Sequence, residues 1–119
     1  MCLFIEYPAC STCRKAKKWL DANQISYQDR HIVENPPTAA ELKEWIERSG
    51  QPIKRFFNTS GQLYRSMQLK DKLPEMNEEE QLKLLASNRM LVKRPLLIKD
   101  DMVFIGFREA EWKEHLLTI

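Results

Sequence analysis

Glycine is scarce in this chain, 3 in 119 residues, and no low-complexity segment, internal repeat or flexible linker interrupts it. With 43% hydrophobic and 30% charged residues, this excludes a disordered polypeptide and predicts one domain over residues 1–119, long enough to bury a core. Long apolar runs are missing as well. No stretch approaches the roughly 20 residues of a membrane span, and the N-terminal Met1-Cys2-Leu3-Phe4-Ile5-Glu6 has no basic region, so neither an anchor nor a signal peptide is expected. The default that follows is a cytoplasmic location with no membrane partner. Charge of one sign is lacking: 19 basic and 17 acidic residues are interspersed, and a net +2 is too little to predict direct nucleic-acid binding. There is no nucleotide-binding glycine pattern, so no bound cofactor is expected. Three cysteines are an odd count, poor for a secreted disulfide scaffold and ordinary for a cytosolic redox protein.

What is present is Tyr7-Pro8-Ala9-Cys10-Ser11-Thr12-Cys13-Arg14-Lys15. A short apolar segment, Cys2-Leu3-Phe4-Ile5, precedes it, and Ala16, Trp19 and Leu20 follow at helical spacing. The pattern predicts a strand ending near Tyr7 and Cys10 at a helix N-terminus. Partial positive charge and free N–H groups at such a terminus favour a thiolate, and Arg14 and Lys15 add to that, Arg14 as a candidate contact for an anionic substrate. Cys13 lies one turn deeper on the same helix face, within reach of Cys10. A Cys-x-x-Cys after a strand reads as a redox pair. The other readings are buried filler and half of a zinc site. Zinc needs four ligands, and the rest of the chain offers only Cys2, His31 and His115, so no metal is expected.

Taken in order, the chain predicts a strand over about Leu3–Tyr7, a helix over about Ser11–Asn23 and a strand over Ile25–Val33, a right-handed βαβ unit with a parallel pair. Asn35-Pro36-Pro37 breaks it. Thr38 with Glu41, and Asn77 with Glu80, have the spacing of capping boxes, and Gly50 closes the first of these helices. Glu78-Glu79-Glu80 suits the positive end of the second. Short helical turns are predicted around Ile53–Phe57 and Leu63-Tyr64, with a turn at Asn58-Thr59-Ser60-Gly61. Leu91-Val92, Leu96-Leu97-Ile98 and Met102–Ile105 are predicted strands, the last two joined by a tight turn at Lys99-Asp100-Asp101, and a helix over Glu109–Leu117 ends the chain.

A second chemical signal is Lys93-Arg94-Pro95-Leu96-Leu97. A proline at a strand entrance can be cis, which holds its neighbour's backbone beside whatever the strand faces, and an arginine there can bind an oxyanion bidentately. Cys10-Ser11-Thr12-Cys13-Arg14-Lys15-Ala16, Lys93-Arg94-Pro95-Leu96-Leu97 and Gly106-Phe107-Arg108-Glu109, in this order and spacing, resemble the arsenate reductase (ArsC)/Spx/YffB family over essentially the whole chain. The resemblance implies an α/β thioredoxin-like fold, βαβ plus ββα, with a helical insertion at about 38–90. It implies a thiol–disulfide oxidoreductase in which Cys10 attacks, Cys13 resolves and Arg94 stabilises charge. Electrons would come from glutathione with glutaredoxin, or from thioredoxin. In arsenate-reducing members three arginines hold the oxyanion; Arg94 and Arg108 match two of them, and the third falls at Lys54, with Arg55 beside it. Those members typically carry serine where this chain has Cys13. The Spx branch keeps both cysteines as a redox switch and docks on the α subunit of RNA polymerase. A glycine used in that docking falls at Pro52 here, with Gly50 two residues away, and Spx chains continue past the last helix, whereas this one stops at Ile119.

Cys2 reads as core filler. His31 and His115 have no carboxylate partner placed beside them by the sequence and read as surface or structural residues. Lys17 and Lys18 read as the solvated side of the first helix, and Trp19, Trp45 and Trp112 as core residues of separate helices.

Overall fold

Strand β1, Cys2–Glu6, is apolar on both faces, and Phe4 and Ile5 are wholly buried, as a central strand requires. The computed structural model describes residues 2–117. β1 pairs in parallel with β2 (Tyr27–His31) and antiparallel with β3 (Leu96–Lys99), which pairs antiparallel with β4 (Met102–Ile105), giving the order β2-β1-β3-β4. Helix α1, Ser11–Ala22, makes the parallel crossover. The remaining helices are α2 (Ala39–Ser49), α3 (Gln62–Ser66), α4 (Leu69–Lys72), α5 (Glu78–Ser87) and α6 (Glu109–Leu117). All helical elements between β2 and β3 form the expected insertion, so the thioredoxin-like order of βαβ and ββα is realised.

The pleat divides the core between the two faces of the sheet. Cys2, Phe4, Leu97 and Phe104 pack with Ala16 and Leu20 of α1 and Trp112 of α6. Ile5, Leu96 and Ile98 pack with Leu42 and Trp45 of α2, Leu85 of α5 and Phe56 and Phe57 of the insertion. Each fully buried side chain of this size contributes roughly 1.5–3 kcal/mol.

Both capping boxes form: the Thr38 hydroxyl accepts from Glu41 N–H at 3.1 Å, and Asn77 Oδ1 accepts from Glu80 N–H at 2.8 Å. Gly50 ends α2 at φ 67°, a left-handed position that suits glycine. The turn between β3 and β4 falls at Asp100-Asp101 as expected. Leu91-Val92 is not a strand. The Asn88 side chain accepts from Met90 N–H at 2.9 Å and winds Arg89–Leu91 into a 3-10 turn, leaving Val92 a single bridge to Phe57. β2 is shorter than the apolar pattern suggests. Ile25 N–H bonds back to the end of α1 at Leu20 O, 3.0 Å, and the chain turns after His31, whose Nδ1 accepts from Val33 N–H at 3.1 Å.

Candidate active site

The loop after β1 is short because it closes on itself: Cys10 N–H donates to Tyr7 O at 2.9 Å. Cys10 is thereby the N-cap of α1, with extended backbone (φ −83°, ψ 122°), and its carbonyl accepts the first helical bond from Arg14 N–H at 3.1 Å. The N–H groups of Thr12 and Cys13 are unpaired within the helix and favour charge on the Cys10 sulfur. Burial pushes this thiol up. The hydrogen bonds from the Cys13 backbone, the Cys13 thiol and the Thr12 backbone, with the Arg94 charge, outweigh burial and leave Cys10 below its ordinary range. Cys13 is wholly buried one turn on. Burial raises its thiol to about 12; a hydrogen bond from Tyr7 N–H opposes the rise, while the bond to Cys10 and the charges of Cys10 and Glu6 add to it. One turn of helix therefore holds two thiols shifted in opposite directions.

Arg94 precedes Pro95 through a cis peptide bond at the entrance to β3. Its guanidinium lies 5.2 Å from the centre of the Tyr7 ring and donates long bonds to Val92 O (3.3 Å) and Met90 O (3.4 Å). Its Nε is buried with no partner among the described residues, the kind of donor a bound anion satisfies. Gly106, at φ 75°, donates its N–H to Pro95 O at 2.8 Å and leads into Arg108; a Cβ there would meet Lys93 Cε at 3.2 Å, so glycine leaves room for that side chain.

These segments enclose a cleft of about 610 Å³ over Cys10. Cys10, Lys54, Arg94 and Arg108, four of the residues expected at the site, line it together. Arg55 and Lys93 join them, so five cationic side chains and no carboxylate line the cleft, with Asn58, Thr59 and Ser60 forming its polar wall. Cys13 sits behind Cys10. Arg14 is not brought into the cleft; its guanidinium donates to Pro8 O at 3.0 Å and braces the loop before Cys10. Arg55, Lys93 and the Asn58–Ser60 wall are not among the expected site residues; Arg55 stands beside Lys54, Lys93 opens the Arg-Pro motif, and the turn signal at Asn58–Gly61 is the one hint of the wall. The bridge between Phe57 and Val92 holds that wall beside the entrance to β3.

The ArsC family profile matches residues 5–115, nearly the whole chain. The chain belongs to the ArsC family. Its relatives include the protein YusI of Bacillus subtilis, 51% identical over 94% of this chain and 95% of that one. They also include the regulatory protein MgsR of the same organism, 34% identical over 91% of this chain and 84% of that one. Among solved structures, an ArsC family related protein from Bacteroides fragilis superposes with a TM-score of 0.91 at 56% identity, covering 95% of each chain. In this ArsC-family chain the cleft thus joins the Cys-x-x-Cys turn, the Arg-Pro turn and the Gly-Phe-Arg turn around one sulfur.

His31 and His115 stay outside it. His31 Nδ1 is occupied by backbone N–H groups, and the His115 ring lies 5.9 Å from that of Phe104. No described helix is long and apolar enough to cross a membrane.

Proposed function

We propose that this ArsC-family protein is a thiol–disulfide oxidoreductase acting on anionic substrates. The observation that carries the reading is Cys10 at the N-terminus of α1 in a cleft lined by five cationic side chains, with Cys13 buried one turn behind it. The Cys10 thiolate attacks one sulfur of a substrate disulfide; a Cys10–substrate disulfide forms and the other substrate sulfur leaves as a thiolate. Cys13 then attacks Cys10, releasing the second substrate thiolate and leaving a Cys10–Cys13 disulfide. A two-electron thiol donor such as glutathione with glutaredoxin, or thioredoxin, restores the pair. Arg94, Lys54 and Arg108 hold the anion, and Arg55 and Lys93 extend the same field. Arsenate fits the charge of the cleft. Cys13 gives any Cys10 adduct an internal exit, which favours disulfide substrates.

The test is turnover of a model disulfide and of arsenate by the purified protein, with each donor system supplied separately. Cys10→Ser falls to background, and Cys13→Ser accumulates a mixed disulfide at Cys10. Full turnover by Cys10→Ser would refute the reading.

A second reading, a redox-sensing regulator that docks on the RNA polymerase α subunit, draws support from the kinship with the regulatory protein MgsR. In that reading the disulfide changes a docking surface beside Pro52, which lines the cleft. Retention of the polymerase α subunit that tracks the Cys10–Cys13 redox state, without substrate turnover, selects it.

A further inference from the structure

Glu6 is 3% exposed, the one buried charged side chain among the described residues. Burying a carboxylate is costly unless something compensates it, yet no cation is paired with it. Its position is defined by the sheet. Cys2, Phe4 and Glu6 alternate onto the face of β1 that α1 covers, and the parallel register sets Asp29 beside Phe4 and His31 beside Glu6. Asp29 is therefore diagonal to Glu6 on the same face. From α1, Cys13 and Lys17 descend onto this face four residues apart. Lys17 Nζ lies 2.8 Å from Asp29 Oδ2, tying α1 to β2 beside the carboxylate. α1 runs antiparallel to β1, so Cys13, one turn before Lys17 and wholly buried, lies over the end of β1 where Glu6 is buried.

We propose that Glu6 is the proton acceptor for Cys13 in the resolving step and passes the proton to Asp29 and solvent. The proposal rests on the oxidoreductase reading above. In the step, the Cys13 S–H bond breaks and its proton goes to a Glu6 oxygen. The Cys13 electron pair forms the bond to Cys10, and the Cys10–substrate bond breaks, its pair leaving with the substrate thiolate. The substrate disulfide is the oxidant. Asp29 supplies the outlet because its side chain is 38% exposed. The titratable groups facing Glu6 are Asp29 and His31 on β2 and Cys13 and Lys17 on α1, while β3 offers only apolar Leu96, Leu97 and Ile98 in register with β1. Burial and the neighbouring Asp29 hold the Glu6 carboxyl above the usual carboxylate range, closer to the pH at which it must take and release a proton.

The test is rapid mixing of reduced protein with an aryl disulfide that releases a coloured thiolate. The wild type releases one equivalent as Cys10 attacks and a second as Cys13 resolves; Cys13→Ser shows only the first. Glu6→Gln slows the second phase by about 10²-fold at neutral pH. In a Cys10→Ser background the same substitution moves Cys13 titration to lower pH, because a negative charge has been removed. A purely structural role does not produce a more acidic thiol that resolves more slowly. Asp29→Asn, at a half-exposed position, shifts the acid limb of the second phase to lower pH. A wild-type second phase in Glu6→Gln, an unmoved Cys13 titration, or an unmoved acid limb in Asp29→Asn would overturn the role of Glu6 alone. Absence of the second phase from the wild type would remove the resolving role of Cys13 and this proposal with it.

Discussion

The first turn of α1 has two sides built on opposite electrostatics. Toward solvent, Cys10 faces an open cleft lined by five cations, with helix N–H groups favouring charge on its sulfur. Toward the sheet, Cys13 is sealed from water beside Glu6, with Asp29 beyond it. Positive charge and free donors lower one thiol; burial and negative charge raise the other. The two residues share a helix and a hydrogen bond, so the difference comes from what the sheet and the insertion place around them. That asymmetry bears on the proposed order of attack: Cys10 gives up its proton at lower pH than Cys13, so in the oxidoreductase reading Cys10 attacks first and Cys13 follows once its proton has somewhere to go.

Removing the cation whose charge acts on Cys10 tests the comparison most strongly. In Arg94→Ala the Cys10 thiol loses a charge that lowers it, so its titration moves up. Alkylation below that titration slows, and the gap closes once pH exceeds the variant's titration. An unchanged pH profile of alkylation would assign the thiolate to the helix N–H groups alone.

A smaller effect, placed away from both thiols, sharpens the comparison by leaving it intact. Arg30 clamps Glu41 through bonds of 2.7 and 2.8 Å, joining β2 to α2, and Thr38 N–H adds a third at 3.0 Å. The hydrogen bonds from Arg30 hold the Glu41 carboxyl at about 2, against an opposing effect of burial. A depressed carboxyl stabilises the fold at pH values above its unfolded titration, and that stability is lost as pH falls toward 2. Glu41→Gln therefore lowers unfolding free energy at neutral pH by about 1 kcal/mol, reduced for the exposure of the pair. The difference from wild type shrinks on acidification, as denaturant titrations at several pH values will show. Neither thiol's titration moves.

Much of this arrangement was legible from local chemistry. Thr38 with Glu41, Asn77 with Glu80, the turn at Asp100-Asp101 and Cys10 at a helix start are each decided within four or five residues, where hydrogen-bond geometry leaves few choices. Cleft residues were legible only where a motif marked them, as Arg94 and Arg108 were. Arg55 and the Asn58–Ser60 wall depend on how the insertion folds back, which the Phe57–Val92 bridge fixes across more than thirty residues. Glu6 follows four apolar residues and resembles a strand's polar end; its burial depends on the register of β1 with β2 and on α1 lying over that face. Arg14 has the helix spacing of a site residue, but the carbonyl of Pro8 captures its guanidinium. Leu91-Val92 has strand composition, and the Asn88 cap overrides it.

The most direct test of the account is a pH titration of the two thiols read separately, Cys10 in Cys13→Ser and Cys13 in Cys10→Ser, by the rate of alkylation. The account predicts Cys10 reacting as a thiolate below the ordinary thiol range and Cys13 staying protonated to about 12, somewhat lower once the thiol of Cys10 is gone. Two thiols titrating together in the ordinary range would contradict it.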